Sequence, residues 1–280
     1  MLAFDLTSIA LTSAFLGAIA TILARTLLKN IRTQDILAVN FFIMAVVLIL
    51  LSPLFYFFHA TLLTMSVVLL IALIDTAANY FFFKTFERTD ASVASPLLSL
   101  APAFTFFFGW IVLNDTVNFQ SLFASLTILA LIVVFSIDFT NFAAFKNATL
   151  WPAIVSSFLF GVSAIPSKYL LNNLHAINAP TLYMFRAGFI ALFAVLLFNF
   201  SIAHISTLQI RIIFARGIVV ISQWVLLYYA LTLGNVGTAV TLGNITPIFV
   251  FLLGILFLKE KPTIKKFTCA GLILALSLLV

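Results

Sequence analysis

Three ionisable side chains stand deep inside long apolar runs of this sequence: Asp75, Arg186 and Arg216. A charge at membrane depth costs about 2.5–3.5 kcal/mol on insertion scales, so it needs a partner or a wet cavity. Two arginines against one acid leave a positive surplus. That balance suits a small molecule carrying a carboxylate or phosphate, with Asp75 available for a cationic group or a proton. A zwitterion such as an amino acid fits both signs, and an organic cation held by aromatic faces near Asp75 is the second reading. The structural alternative is an ion pair between Asp75 and one arginine. Polar and aromatic residues surround these positions. Asp75, Asn79 and Tyr80 lie at i, i+4 and i+5 on one broad helix face, and Gln223, Trp224 and Tyr228 follow Arg216 in its own run. Ser99 and Asn244 precede Pro102 and Pro247, each proline expected to break a helix and free a backbone carbonyl. Together these residues are the candidate substrate contacts, with the prolines as candidate gating points. Any one aromatic here packs or touches lipid equally well, because aromatics make up 15% of the chain.

Covalent and metal chemistry find no footing. The sequence has no HExxH and no Gly-x-Ser-x-Gly, and His59, His175 and His204 fall in or beside connections. No GxxxxGK[ST] is present, so ATP is not the direct energy source. The single cysteine, Cys269, supports neither a disulfide framework nor a thiolate metal site. No catalytic residue, metal or cofactor is expected. The net charge of +6 comes from basic residues scattered through short connections, which carries no nucleic-acid signal.

The elements that must hold these residues are membrane helices. The chain is 64% hydrophobic and 8% charged, against about 25% charged in a soluble domain. Its apolar runs are long enough to cross a bilayer, and no alternating barrel pattern occurs. The runs predict ten transmembrane helices at about 7–28, 34–57, 64–84, 91–113, 119–137, 149–171, 179–202, 207–233, 236–258 and 264–280. Arg25, Lys84 and Lys168 fall near helix ends and are expected to reach the headgroups, with Lys168, after Pro166, a further candidate to face a cavity.

These helices form two copies of one unit. Thr89–Pro102, an apolar run through Gly109 and then Asp115 recur as Gly234–Pro247, an apolar run through Gly254 and then Glu260, about 145 residues later. Gly17 is likewise answered by Gly161. The expected units are residues 1–140 and 141–280. An odd number of crossings places the second copy upside down relative to the first, and inverted five-helix repeats offer two arrangements open to opposite sides. That organisation points to alternating-access transport over a membrane-embedded enzyme or a scaffold without flux.

A small-residue stretch, then Pro, an apolar run, Gly and a closing acid, in two five-helix copies, resembles the drug/metabolite transporter superfamily in its EamA-type branch. Leu258-Lys259-Glu260-Lys261 is similar to the family's Leu-Gly-Glu-Arg ending, and Tyr229-Ala230-Leu231 to its Tyr-Ala-Leu. The resemblance covers essentially the whole chain. It implies a secondary transporter in a bacterial cytoplasmic (inner) membrane, for substrates ranging over amino acids, nucleotide derivatives, amines and sugar phosphates. It brings no macromolecular partner beyond the bilayer; a coupling ion or counter-substrate is open, and a monomer is compatible with the sequence. The chain departs from the pattern at Asn114-Asp115, and Asn40 or Phe41 stands where the second copy has Arg186. Those departures speak against a symmetric site. Ten spans put both termini on one face. The opposite face takes Lys29, Arg32, Lys84, Arg88, Lys146, Arg211, Lys259, Lys261, Lys265 and Lys266, so the charge rule expects both termini outside.

Overall fold

Proline, glycine and polar caps divide the apolar sequence into helices in a computed structural model that describes residues 5–28, 30–88, 98, 100–114, 119–136, 151–258 and 264–277. In chain order these are α1 (Leu6–Leu28), α2 (Thr33–Leu51), α3 (Leu62–Arg88), α4 (Ala101–Leu113), α5 (Phe119–Ser136), α6 (Trp151–Lys168), α7 (Ala179–Leu197), α8 (Thr207–Leu233), α9 (Val236–Gly243), α10 (Thr246–Leu258) and α11 (Ile264–Ser277). Among the described residues the only β pairing is one antiparallel bridge between Phe58 and Ile177. Among the described residues seven helical segments are long and apolar enough to cross a membrane, one of them running from α9 into α10 over Val236–Leu253. Large apolar side chains such as Phe42, Leu50, Trp110, Leu196 and Phe267 stand exposed on the outside of the bundle. In water they would be a liability; against acyl chains they are at home. The protein is an all-helical integral membrane protein.

Local chemistry sets the helix starts. Asn178 caps α7 by accepting from the Thr181 N–H at 3.0 Å, Ser206 and Gln209 form a reciprocal capping box at α8, and Asn235 accepts from Gly237 and Thr238 at α9. The expected second helix, 34–57, stops at Leu51, because Pro53 opens a single 3-10 turn over Ser52–Leu54. The seventh, expected to reach 202, stops at Leu197. Phe198 turns extended and stacks on Tyr80, and the Ser201 N–H donates to Asp35 Oδ1 at 2.8 Å. The sixth passes Pro166 and widens into a π turn over Tyr169–Asn173. The ninth, expected as one helix over 236–258, is broken at Asn244 and Ile245 just before Pro247.

The repeat shows in the lengths of the elements. Helices α2 and α7 each have 19 residues, α3 and α8 each have 27, and α4 and α10 each have 13 with proline second. Packing follows the same correspondence. Helix α1 packs on α8 as α6 packs on α3, α2 on α8 as α7 on α3, and α1 on α9 and α10 as α6 on α4. All of these contacts join the two units, and corresponding elements also meet directly, α2 along α7, α4 against α9, and α5 against α11. Gly17 and Gly161 play matching parts in this scheme. A Cβ at Gly161 would sit 2.6 Å from the Ala101 carbonyl oxygen, and one at Gly17 would sit 3.0 Å from Thr246 Oγ1. Small residues at these crossings let backbones approach closely. The expected boundary between units, near residue 140, lies outside the described residues.

Candidate functional site

Asp75 is the fourteenth of the 27 residues of α3, at its middle, and is wholly buried. Three other helices close on it. Ser163 of α6 donates its hydroxyl to Asp75 Oδ1 at 2.6 Å, and Arg186 of α7 forms an ion pair with Oδ2 through Nε. Arg186 Nη1 also donates to the Tyr228 hydroxyl on α8. Only 2% of Arg186 is exposed. Its guanidinium lies 4.0 Å from the centre of the Trp224 ring, 5.5 Å from that of Tyr228 and 5.8 Å from that of Tyr183. Tyr183 packs parallel to Trp224. The result is a cation in an aromatic box with a carboxylate at one edge, built from both units. Desolvating two such charges costs several kcal/mol per ion, and only this dense set of partners offsets it.

Arg216 occupies a second station. It is 6% exposed, lies earlier along α8, and donates from Nη1 to Asn40 Oδ1 at 2.8 Å and from Nε to the Ala20 carbonyl at 3.2 Å. The Phe83 ring lies 5.2 Å from its guanidinium carbon. Lys168, at the end of α6, is buried and donates from Nζ to the Gly234 carbonyl at 2.9 Å, on the connection between α8 and α9.

The structure gathers some of the expected residues and disperses others. Asp75, Arg186, Trp224 and Tyr228 meet. Asn79 donates back to the Asp75 carbonyl of its own helix at 2.8 Å. Tyr80 faces elsewhere and stacks on Phe198, since five residues turn a helix by about 140° beyond a full revolution. The Gln223 amide packs beside Gly17 on α1, and Asn244 donates to the Val240 carbonyl at 2.8 Å. Ser99 lies outside the described residues. Pro102 and Pro247 each stand second in a new helix. The acceptor expected to be freed by Pro247, the Gly243 carbonyl, is not left open, because Thr246 Oγ1 reaches it at 3.1 Å. Of the readings open from the sequence, the pairing of Asp75 with one arginine is present, and the arginine is Arg186.

Ser163, Tyr183 and Asn40 escaped the sequence as partners. Tyr183 and Arg186 are i, i+3, a spacing that could have joined them. Ser163 sits two residues after Gly161 in a helix rich in small side chains, but one serine among several gives no signal of its own. Apart from the cluster, at the end of α6 and the start of α7, a cleft of about 360 Å³ is lined by residues including Asn172, His175, Asn178, Tyr229 and Thr232, none of them a member of the cluster.

Comparison with known proteins agrees with this architecture. A solved crystal structure matches with a TM-score of 0.74 at 17% identity, over 98% of this chain and 95% of that one, a likeness of fold. No curated protein matches the sequence. The model of the EamA-like transporter family matches twice, over residues 7–137 and 148–280. With nearly the whole length accounted for by two copies of that unit, the chain belongs to the EamA-like transporter family.

Proposed function

We propose that this protein is a secondary-active transporter of a small zwitterionic or anionic metabolite, an amino acid being the simplest fit, working by alternating access in a bacterial inner membrane. The observation that carries this reading is the fully buried Asp75–Arg186 pair, with Ser163, Trp224 and Tyr228 around it, where helices of both units meet. An intramembrane acid and base at such a junction are expensive unless they are used, and a zwitterion could exchange with both. Alternating access is supported by the paired packing between the units, in which the contacts of α1 and α2 with α8 have counterparts in those of α6 and α7 with α3. We take the units to be inverted, with Pro102 and Pro247 as the points where the fourth and ninth crossings yield. Asp75, Asn79, Tyr80, Ser99, Arg186, Arg216, Gln223, Trp224, Tyr228 and Asn244 remain the proposed substrate contacts, those around Asp75 foremost. The organic-cation reading is weaker, because Arg186 already fills the aromatic faces such a cation would need. Nothing in the geometry favours nucleotide-derived substrates.

The test is counterflow in liposomes containing only this protein. Pools of labelled amino acids and small organic acids should exchange against unlabelled solute, and an imposed proton or sodium gradient should drive net uptake if an ion is coupled. Correctly folded protein that exchanges none of the pools would return the scaffold reading.

A further inference from the structure

We infer that Arg216 is an oxyanion station, binding the carboxylate or phosphate of the solute in the state described, in which Arg186 is neutralised by Asp75. The inference rests on the transport reading and narrows it to one residue. Arg186 and Asn40 are both eighth in their helices, α7 and α2, and Asp75 and Val220 both fourteenth in theirs, α3 and α8. The α7–α3 interface therefore holds an arginine and an acid. The matching α2–α8 interface holds an amide, Asn40, and Arg216, one turn before Val220.

The two stations differ in charge balance. Arg186 has a carboxylate. Arg216 has two neutral acceptors, Asn40 Oδ1 and the Ala20 carbonyl, and no ion pair among the described residues. A guanidinium carries five N–H donors, and these contacts use two. Neutral acceptors orient the group without cancelling its charge. A cation that is 6% exposed and lacks a counter-charge among the described residues is costly, and an oxyanion meeting the remaining donors would offset that cost. The Phe83 ring 5.2 Å away leaves the edge of the fork, rather than its face, for such a ligand.

Asn40→Asp gives the sharpest test, since it changes one amide to a carboxylate at an atom already 2.8 Å from Arg216 Nη1. The full-length protein in phosphatidylcholine nanodiscs is titrated with potassium phosphate and with potassium acetate, against potassium chloride of equal ionic strength, and its Tm is read. Wild type should show a saturable rise of a few degrees with phosphate or acetate beyond the chloride control. Asn40→Asp should start at a higher Tm and show no such rise, its own carboxylate having taken the anion's place. Arg216→Gln should also lose the response; if it fails to fold, Asn40→Asp still decides. An unresponsive wild type, or an Asn40→Asp variant that responds like wild type, overturns the assignment. So does a stabilisation that requires anionic phosphatidylglycerol in the disc, which would assign Arg216 to a lipid headgroup. An anion response in protein that exchanges no solute in liposomes would retain Arg216 and remove the transport reading. Flux without an anion response would do the reverse.

Discussion

Asp75 and Arg186 depend on each other, and that dependence makes them testable. Removing one partner of a buried pair leaves the other charge uncompensated, at a cost of about 3–5 kcal/mol, whereas removing both is far milder. Asp75→Asn and Arg186→Gln should each lower the unfolding temperature, and the double variant should recover more than half of the loss by the same measurement. Flux separates stability from function. The double variant, though folded, should exchange solute at less than a tenth of the wild-type rate; wild-type exchange would reduce the cluster to a structural pair. At this scale the sequence revealed the actors and not their pairing. A carboxylate and two guanidiniums in apolar runs are conspicuous by cost alone. Which arginine meets Asp75 depends on how α3, α7 and α8 are rotated about their axes, and periodicity in so uniformly apolar a chain does not fix that rotation. Tyr80 shows the limit: spacing alone groups it with Asp75, five residues away, and it lies against Phe198.

Between elements, the crossing of α4 and α6 is a close approach to backbone that one methyl group can probe. Gly161→Ala would place a Cβ 2.6 Å from the Ala101 carbonyl oxygen and 2.8 Å from Phe104 Cβ, so the helices must separate. We expect a loss of about 1–3 kcal/mol, as for other overpacked sites. Gly188→Ala, with nothing within 4 Å of the new methyl, should be neutral or stabilise by up to about 1 kcal/mol. Thermal unfolding of the two variants side by side checks the contrast; equal losses would mean that α4 and α6 do not meet as described. Helix boundaries were legible where a cap or a clear break marks them. Residues 207–233 were read from the sequence and are α8 to the residue, with Ser206 and Gln209 at its start. The π turn after Lys168 and the early end of α7 were not legible, because each is decided by contacts elsewhere in the bundle, Phe198 with Tyr80 being one.

For the whole molecule, the distribution of charge yields a prediction about orientation. On a ten-span topology Lys and Arg collect in the connections opposite the termini, and short basic connections mark the cytoplasmic side. A fluorescent reporter at the C-terminus that matures only in the cytoplasm should stay dark, while a phosphatase active only outside should work there. The reverse pattern would place the termini inside, and disagreement between tags at the two ends would mean an odd number of crossings. The twofold organisation was legible in Pro102, Pro247, Gly17 and Gly161, whose backbone demands are specific enough to stand out against interchangeable leucines and phenylalanines. Two identical halves would have equal energy on exchange, by symmetry alone. Here Asp75 faces Val220, and Arg186 faces Asn40, across the correspondence of the units. On the proposed alternating-access cycle, exchanging the halves thus maps the molecule onto a different energy, and like a loaded die it would have a favoured face before any solute arrives.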